Sequence, residues 1–233
     1  YAFMALLGAA VFWLFYRPIA APDSASGTAP HDLGPAAAAA PAQRSAFRSP
    51  VVWLLALVVG LGGFGQFTIT YFVPSVATSV FHLDAAAAGV MISTGYLAAI
   101  VLNLLIGMLA DRFDKLVVLG CMCVLLACSS VALTVEDELV FRIAAAAGIG
   151  LGFSAANQLY GLAGALMPRS EAGNALGVVS LGAGLFGYFG PQMLGLLRDL
   201  TGSFTAGFMM IAVADLATLG LIVLLYRLTR RPR

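Results

Sequence analysis

Six uninterrupted apolar runs limit what this chain can fold into. They lie at approximately residues 51–76, 87–110, 116–135, 139–166, 174–197 and 204–226. Each is long enough to supply the roughly 20 helical residues that cross about 30 Å of hydrocarbon. In lipid every backbone N–H and C=O must be satisfied within the protein, which leaves helices and closed barrels. Barrel strands need about 10 residues of alternating apolar and polar character, and these runs are longer and do not alternate. The expected fold is an all-α membrane protein, a six-helix transmembrane bundle over 51–227. Composition agrees: 61% of residues are hydrophobic and 10% charged, and the mean hydropathy is +0.97. A soluble domain carries about 25% charged residues.

A shorter run, YAFMALLGAAVFWLFY, occupies residues 1–16. It has neither the basic start nor the small-residue cleavage site of a secretory signal peptide, and it ends in Trp13, Phe15 and Tyr16 followed by Arg17. It reads as one partial N-terminal transmembrane helix, so residues that precede Tyr1 are expected to be missing. Residues 17–50 are rich in Ala, Pro, Ser and Gly with no helical period, the composition of a flexible linker. Residues 228–233 form a basic tail. The short loops between the later runs predict antiparallel neighbours in one bundle.

Lys and Arg over the short loops set the orientation. Ten fall on the side of the linker, the 107–115 loop and the C-terminus: Arg17, Arg44, Arg48, Arg112, Lys115, Arg169, Arg227, Arg230, Arg231 and Arg233. Arg142 and Arg198 fall on the other, beside Asp84, Glu136, Asp137, Glu138 and Asp199. The expectation is a multi-pass protein of the inner (plasma) membrane with linker and C-terminus cytoplasmic.

Several function classes drop out. A net charge of +1 and no basic face beyond the lipid flanks argue against nucleic acid as a partner. Cys121, Cys123 and Cys128 share one apolar run and are expected to be small buried hydrophobes, with no metal-ligand spacing. His31 and His82 fall in loops, and no nucleophile elbow or phosphate-cradling loop is present. No enzyme activity, metal or cofactor is expected.

Between the second and third complete runs, GMLADRFDK (107–115) places four charged residues in nine positions. The positive-inside rule accounts for Arg112 and Lys115 but calls for neither Asp111 nor Gly107. Asp111 can face the N-terminus of a neighbouring helix, whose N–H groups carry about half a positive charge. The run that opens near Gly173 starts on the same side. Asp111 docked there, with Arg112 or Lys115 paired to a carboxylate such as Glu171, would lock the two ends until the bundle opens. Glycines suggest where helices approach closely: Gly148 with Gly152, and Gly173 with Gly177, have small-xxx-small spacing. Gly182, Gly184, Gly187, Gly190 and Pro191 suit either a bending helix or the ordinary glycine content of membrane helices.

GMLADRFDK resembles the cytoplasmic loop motif of the major facilitator superfamily, of general form GxLADRxGRR. Gly107, Leu109, Ala110, Asp111 and Arg112 match. Asp114, Lys115 and Leu116 depart from it. The linker, the six runs, PRSEAGNALG (168–177) and GPQMLGLLRDLTGSF (190–204) are similar to the C-terminal half of such transporters. The resemblance implies that residues 1–16 are the sixth helix of twelve. It also implies that a missing N-terminal half is a partner, alongside the lipid bilayer and a small-molecule substrate, and that the chain alone does not transport.

The resemblance further implies that substrate binds near the midplane and that the first and fourth complete runs line the cavity. Candidate cavity residues are Gln66, Thr70 and Tyr71, then Asn157, Gln158 and Tyr160, with Tyr96 and Asn103 seven residues apart on one face. For each, a helix-to-helix hydrogen bond is the other reading. Asp215, the single carboxylate near the middle of a run, is either a packing group or a proton relay. The function implied is secondary active transport of a small organic solute by alternating access. An organic anion or carboxylate coupled to protons is expected, because GYLAAIVLNLLIGMLADR (95–112) and GYFGPQMLGLLRDLTGSF (187–204) resemble carriers of organic acids and nitrate-like anions. A drug or metabolite exporter, and a non-transporting receptor or scaffold, are the alternatives.

Overall fold

The computed structural model describes residues 49–166 and 172–229. The partial helix expected over 1–16, nearly all of the expected linker, Glu171 and most of the basic tail lie outside the described residues. Six helices follow: α1 (Pro50–Ser79), α2 (Ala85–Arg112), α3 (Lys115–Ala132), α4 (Glu138–Leu166), α5 (Ala172–Thr201) and α6 (Thr205–Thr229). All six are long and apolar enough to cross a membrane. Their ends agree with the apolar runs to within four residues, the largest difference being the end of α5, expected at 197 and found at 201.

Local chemistry explains the boundaries. Pro50 opens α1 at a position whose missing N–H is no loss. Asp84 caps α2 by accepting from the Ala87 N–H at 2.6 Å, and Asp137 receives the Val140 N–H at 2.9 Å at the start of α4. Asp114 caps α3 by accepting from the Leu116 N–H at 2.9 Å, and Leu116 packs against the core. Two departures from the loop motif thus have local roles. At the end of α5, Gly202 takes a left-handed φ of +71° and its N–H closes on the Arg198 carbonyl at 2.8 Å, a turn glycine adopts without penalty.

The expectation that sequential helices are the main neighbours is corrected. The principal pairs are α1 with α5, α2 with α4 and α3 with α6, and α1 also packs on α4 and α6. Helix α1 is the hub: 67% of its most apolar window is buried, against 22% for α2 and for α5. Short connections and alternating direction bring the ends of α2, α4 and α6 to one side of the bundle with the starts of α1, α3 and α5. That end carries Arg112, Lys115 and Arg227; the acidic connections carry Asp84, Glu136, Asp137 and Glu138 at the other.

Two large apolar clusters fill the bundle, one toward each end, and a small third one of Val52, Ala56, Ala175 and Val178 closes the α1–α5 seam. Leu55, Leu119, Leu159 and Leu225 belong to the first, and Val73, Met91, Phe141 and Phe208 to the second. Between them lies a band of glycines and small polar groups. An added Cβ at Gly148 would meet the Ser129 hydroxyl and one at Gly152 the Gln66 side chain, so this pair does allow close approach. Gly173 and Gly177 face open space and do not. The α1–α5 seam is tighter: a Cβ at Gly182 would strike the Ala56 carbonyl, and one at Gly190 the Thr68 hydroxyl and Phe64 carbonyl.

Candidate functional site

The paired helices α2 and α4 run in the same direction and bring two polar residues together. The Asn157 amide N–H donates to the Asn103 side-chain oxygen at 3.0 Å. Each residue stands nine positions before its helix's last residue, Arg112 or Leu166, about 14 Å along the axis and so close to mid-depth. Toward the acidic end, the Tyr96 and Phe153 rings meet with centroids 5.2 Å apart. Tyr96 and Asn157 are exposed, which makes this an open face. One mutual hydrogen bond leaves the amide pair three N–H donors and the Asn157 oxygen. Such a pair can grip a small oxygen-bearing ligand without a formal charge.

A second open feature lies along α1 and α5. There Tyr71 and Tyr188, 64% and 63% exposed, line a cleft of about 620 Å³ with Phe67, Ser75 and Gln192. Pro191 borders it, within the continuous helix α5.

The remaining sequence candidates divide. Gln66 is 5% exposed and packs in the α1–α4 seam against Gly152. The Thr70 hydroxyl donates to the Gln66 backbone carbonyl at 2.8 Å, a local bond that occupies its proton. Tyr160 packs against the core near the basic end, and Gln158 is half-buried. Ser154, which precedes Asn157 by three residues on α4 and was not among those candidates, is fully buried and donates to the Gly150 carbonyl at 2.9 Å. Phe153, Phe67, Tyr188 and Gln192 escaped the sequence reading. Tyr188 and Gln192, four residues apart on one helix face, were the signal available in the chain.

Asp215 lies on neither open face. It is 3% exposed, accepts from the Ser130 hydroxyl at 3.3 Å, and sits against Gly65, where an added Cβ would come within 3.2 Å of its carboxylate. It is therefore enclosed by α1, α3 and α6. Cys123 is buried as expected, but Cys121 and Cys128 are exposed, because α3 turns one side outward.

A methyl group added at Gly107 would meet nothing within 4 Å, and Asp111, Arg112 and Lys115 are exposed. Among the described residues α2 makes no contact with α5, so the expected docking of Asp111 on the start of α5 is not formed. The reason is packing order: α1 and α4 occupy the positions between them.

The whole chain is matched by the family model "Major Facilitator Superfamily", at residues 1–157 and 64–233. It is 29% identical over 192 residues to the nitrite extrusion protein of Bacillus subtilis, covering 78% of this chain and 46% of that protein. It is 30% identical over 151 residues to a probable nitrate transporter, NarT, of Staphylococcus aureus, covering 61% and 36%. The chain thus spans less than half the length of these curated relatives. The solved structure of the E. coli fucose:proton symporter FucP superposes with a TM-score of 0.69 at 12% identity, over 79% of this chain and 45% of that one; this likeness concerns the fold. On the family match across its full length, this chain belongs to the Major Facilitator Superfamily.

Proposed function

We propose that this chain forms one helical bundle of a secondary active transporter for a small oxoanion, which alternates access to a site at mid-depth. The Asn103–Asn157 pair carries the reading: it sets spare amide donors on an open face, where a nitrate, nitrite or carboxylate oxygen can accept them. The names of the relatives from B. subtilis and S. aureus favour nitrate or nitrite over an organic carboxylate. Among the described residues the basic side chains stand at the helix ends, so this bundle offers hydrogen bonds and leaves the anion's charge to be balanced elsewhere.

Proton coupling belongs to the same proposal. Asp215, turned into the bundle, is the carboxylate within a span through which it can act. Asp111 completes the proposal as a gating residue. Exposed at the basic end, it is available to dock on a helix outside this bundle when that side closes. The segregation of Arg112, Lys115 and Arg227 to this end supports a cytoplasmic placement.

Counterflow in proteoliposomes that hold the gene product carrying this chain tests the substrate. Labelled nitrate or nitrite should exchange, formate and acetate should compete weakly, and Asn157→Leu should abolish exchange in a protein that remains monodisperse. No exchange of any of the four anions by intact protein would sink the reading. Exchange of the carboxylates alone would return it to an organic-anion carrier.

A further inference from the structure

At the acidic end of the bundle, where α1, α3 and α5 finish and α6 begins, lies a cavity of about 430 Å³. It is separate from both open faces. Its floor is apolar, with Val76, Leu133 and Phe208, and hydroxyls such as Thr134 and Ser203 stand at its edge. Two opposite charges line it: Glu136 from the α3–α4 connection and Arg198 from the last turn of α5.

The Gly202 turn folds Phe204 back beneath Arg198, whose guanidinium carbon lies 4.6 Å from the ring centroid. The ring face holds the guanidinium in place by cation–π attraction, and among the described residues no side chain accepts its N–H groups. Among the described residues neither Arg198 nor Glu136 makes an ion pair, and the two do not bridge each other. Arg142 at the same end behaves differently, with two nitrogens on Glu138 at 2.6 and 2.8 Å. A cavity whose opposite charges stay apart over an apolar floor, at the depth where hydrocarbon gives way to headgroups, suits a ligand bearing both charges. A simple anion would meet Glu136 and a simple cation Arg198, each a like-charge contact.

We propose that this cavity binds a zwitterionic phosphate–ammonium group, the chemistry of an ethanolamine phospholipid headgroup, with the phosphate on Arg198 and the ammonium on Glu136. Guanidinium and phosphate match as a two-pronged hydrogen-bonding pair, and a primary ammonium donates to a carboxylate. The proposal is independent of the transported substrate.

The test is native mass spectrometry of the full chain released from nanodiscs of phosphatidylethanolamine, phosphatidylglycerol or phosphatidylcholine, with free phosphoethanolamine titrated in detergent as a separate arm. Phosphatidylethanolamine should be retained over the other two. Arg198→Ala and Glu136→Gln should each weaken retention roughly tenfold, the scale of a lost charge-assisted hydrogen bond. Arg142→Ala should leave it unchanged. Glu136→Gln keeps shape at an exposed connection and stays informative if Arg198→Ala misfolds. Binding of free phosphoethanolamine with the same sensitivity supports the site with a soluble source, and lipid retention without it supports the membrane as source. Equal retention of all three lipids, unchanged retention in both variants, or no binding in either arm overturns the proposal.

Discussion

A polar side chain inside a membrane bundle is defined by what it touches, and Asp215 shows this most clearly. Its carboxyl group fits between Gly65 and Ser130 with almost no exposure, where an unpaired charge is costly. Replacement by Asn keeps the shape and a partner for Ser130. Asp215→Asn should therefore unfold at nearly the wild-type temperature, whereas Asp215→Ala should lose on the order of 1–3 kcal/mol by orphaning a buried hydroxyl. Thermal unfolding in detergent measures both. If transport by Asp215→Asn also loses its dependence on a proton gradient, the group is a relay and not only a packing residue. That an acid lay at mid-span was legible in the chain; that it faced α3 and not an open face was not, because a 3.6-residue period marks faces without naming neighbours. Gln66 makes the same point. Its spacing from Thr70 correctly put the two on one side of α1, yet that side packs on Gly152 of α4.

At the scale of elements, sequence chemistry and packing carry separable energies. Asp114 caps α3, so Asp114→Ala should cost about 1 kcal/mol and Asp114→Asn little, as read by denaturant or thermal unfolding. This role accounts for an acidic residue where the resembled motif has glycine. The α1–α5 seam offers a sharper test. A methyl group at Gly182 meets the backbone of Ala56, which cannot move aside as a side chain could, and overpacking of this kind costs about 1–3 kcal/mol. Gly184 is two residues away and faces open space. Ala there should be neutral or gain up to about 1 kcal/mol of helix propensity. Equal effects at the two positions, in paired melting curves, would contradict the seam. Sequence spacing flagged both glycines alike, since neither carries a side chain that reveals its surroundings.

At the scale of the whole molecule, water access distinguishes a transporter's bundle from a dry scaffold. Single cysteines read it directly, in a background where Cys121 and Cys128 are replaced because both are exposed. A cysteine at Asn157 should react with a membrane-impermeant thiol reagent, and one at Ser154, three residues away but fully buried, should not. Protection of both positions would remove the open α2–α4 face from the transport proposal.

The number, length and type of the six helices, their alternating direction and the gathering of basic residues at one end were determined by the sequence alone. The reason is that lipid demands satisfied backbones and apolar surface along every span, constraints local enough to read from a single run. Which helices became neighbours was decided only in three dimensions. That choice made α1 the hub, paired Asn103 with Asn157 across 54 positions, enclosed Gln66 and Asp215, and left Asp111 free of α5. It depends on where glycines let backbones meet and on which faces fit one another, properties of pairs of helices that no single stretch of chain contains.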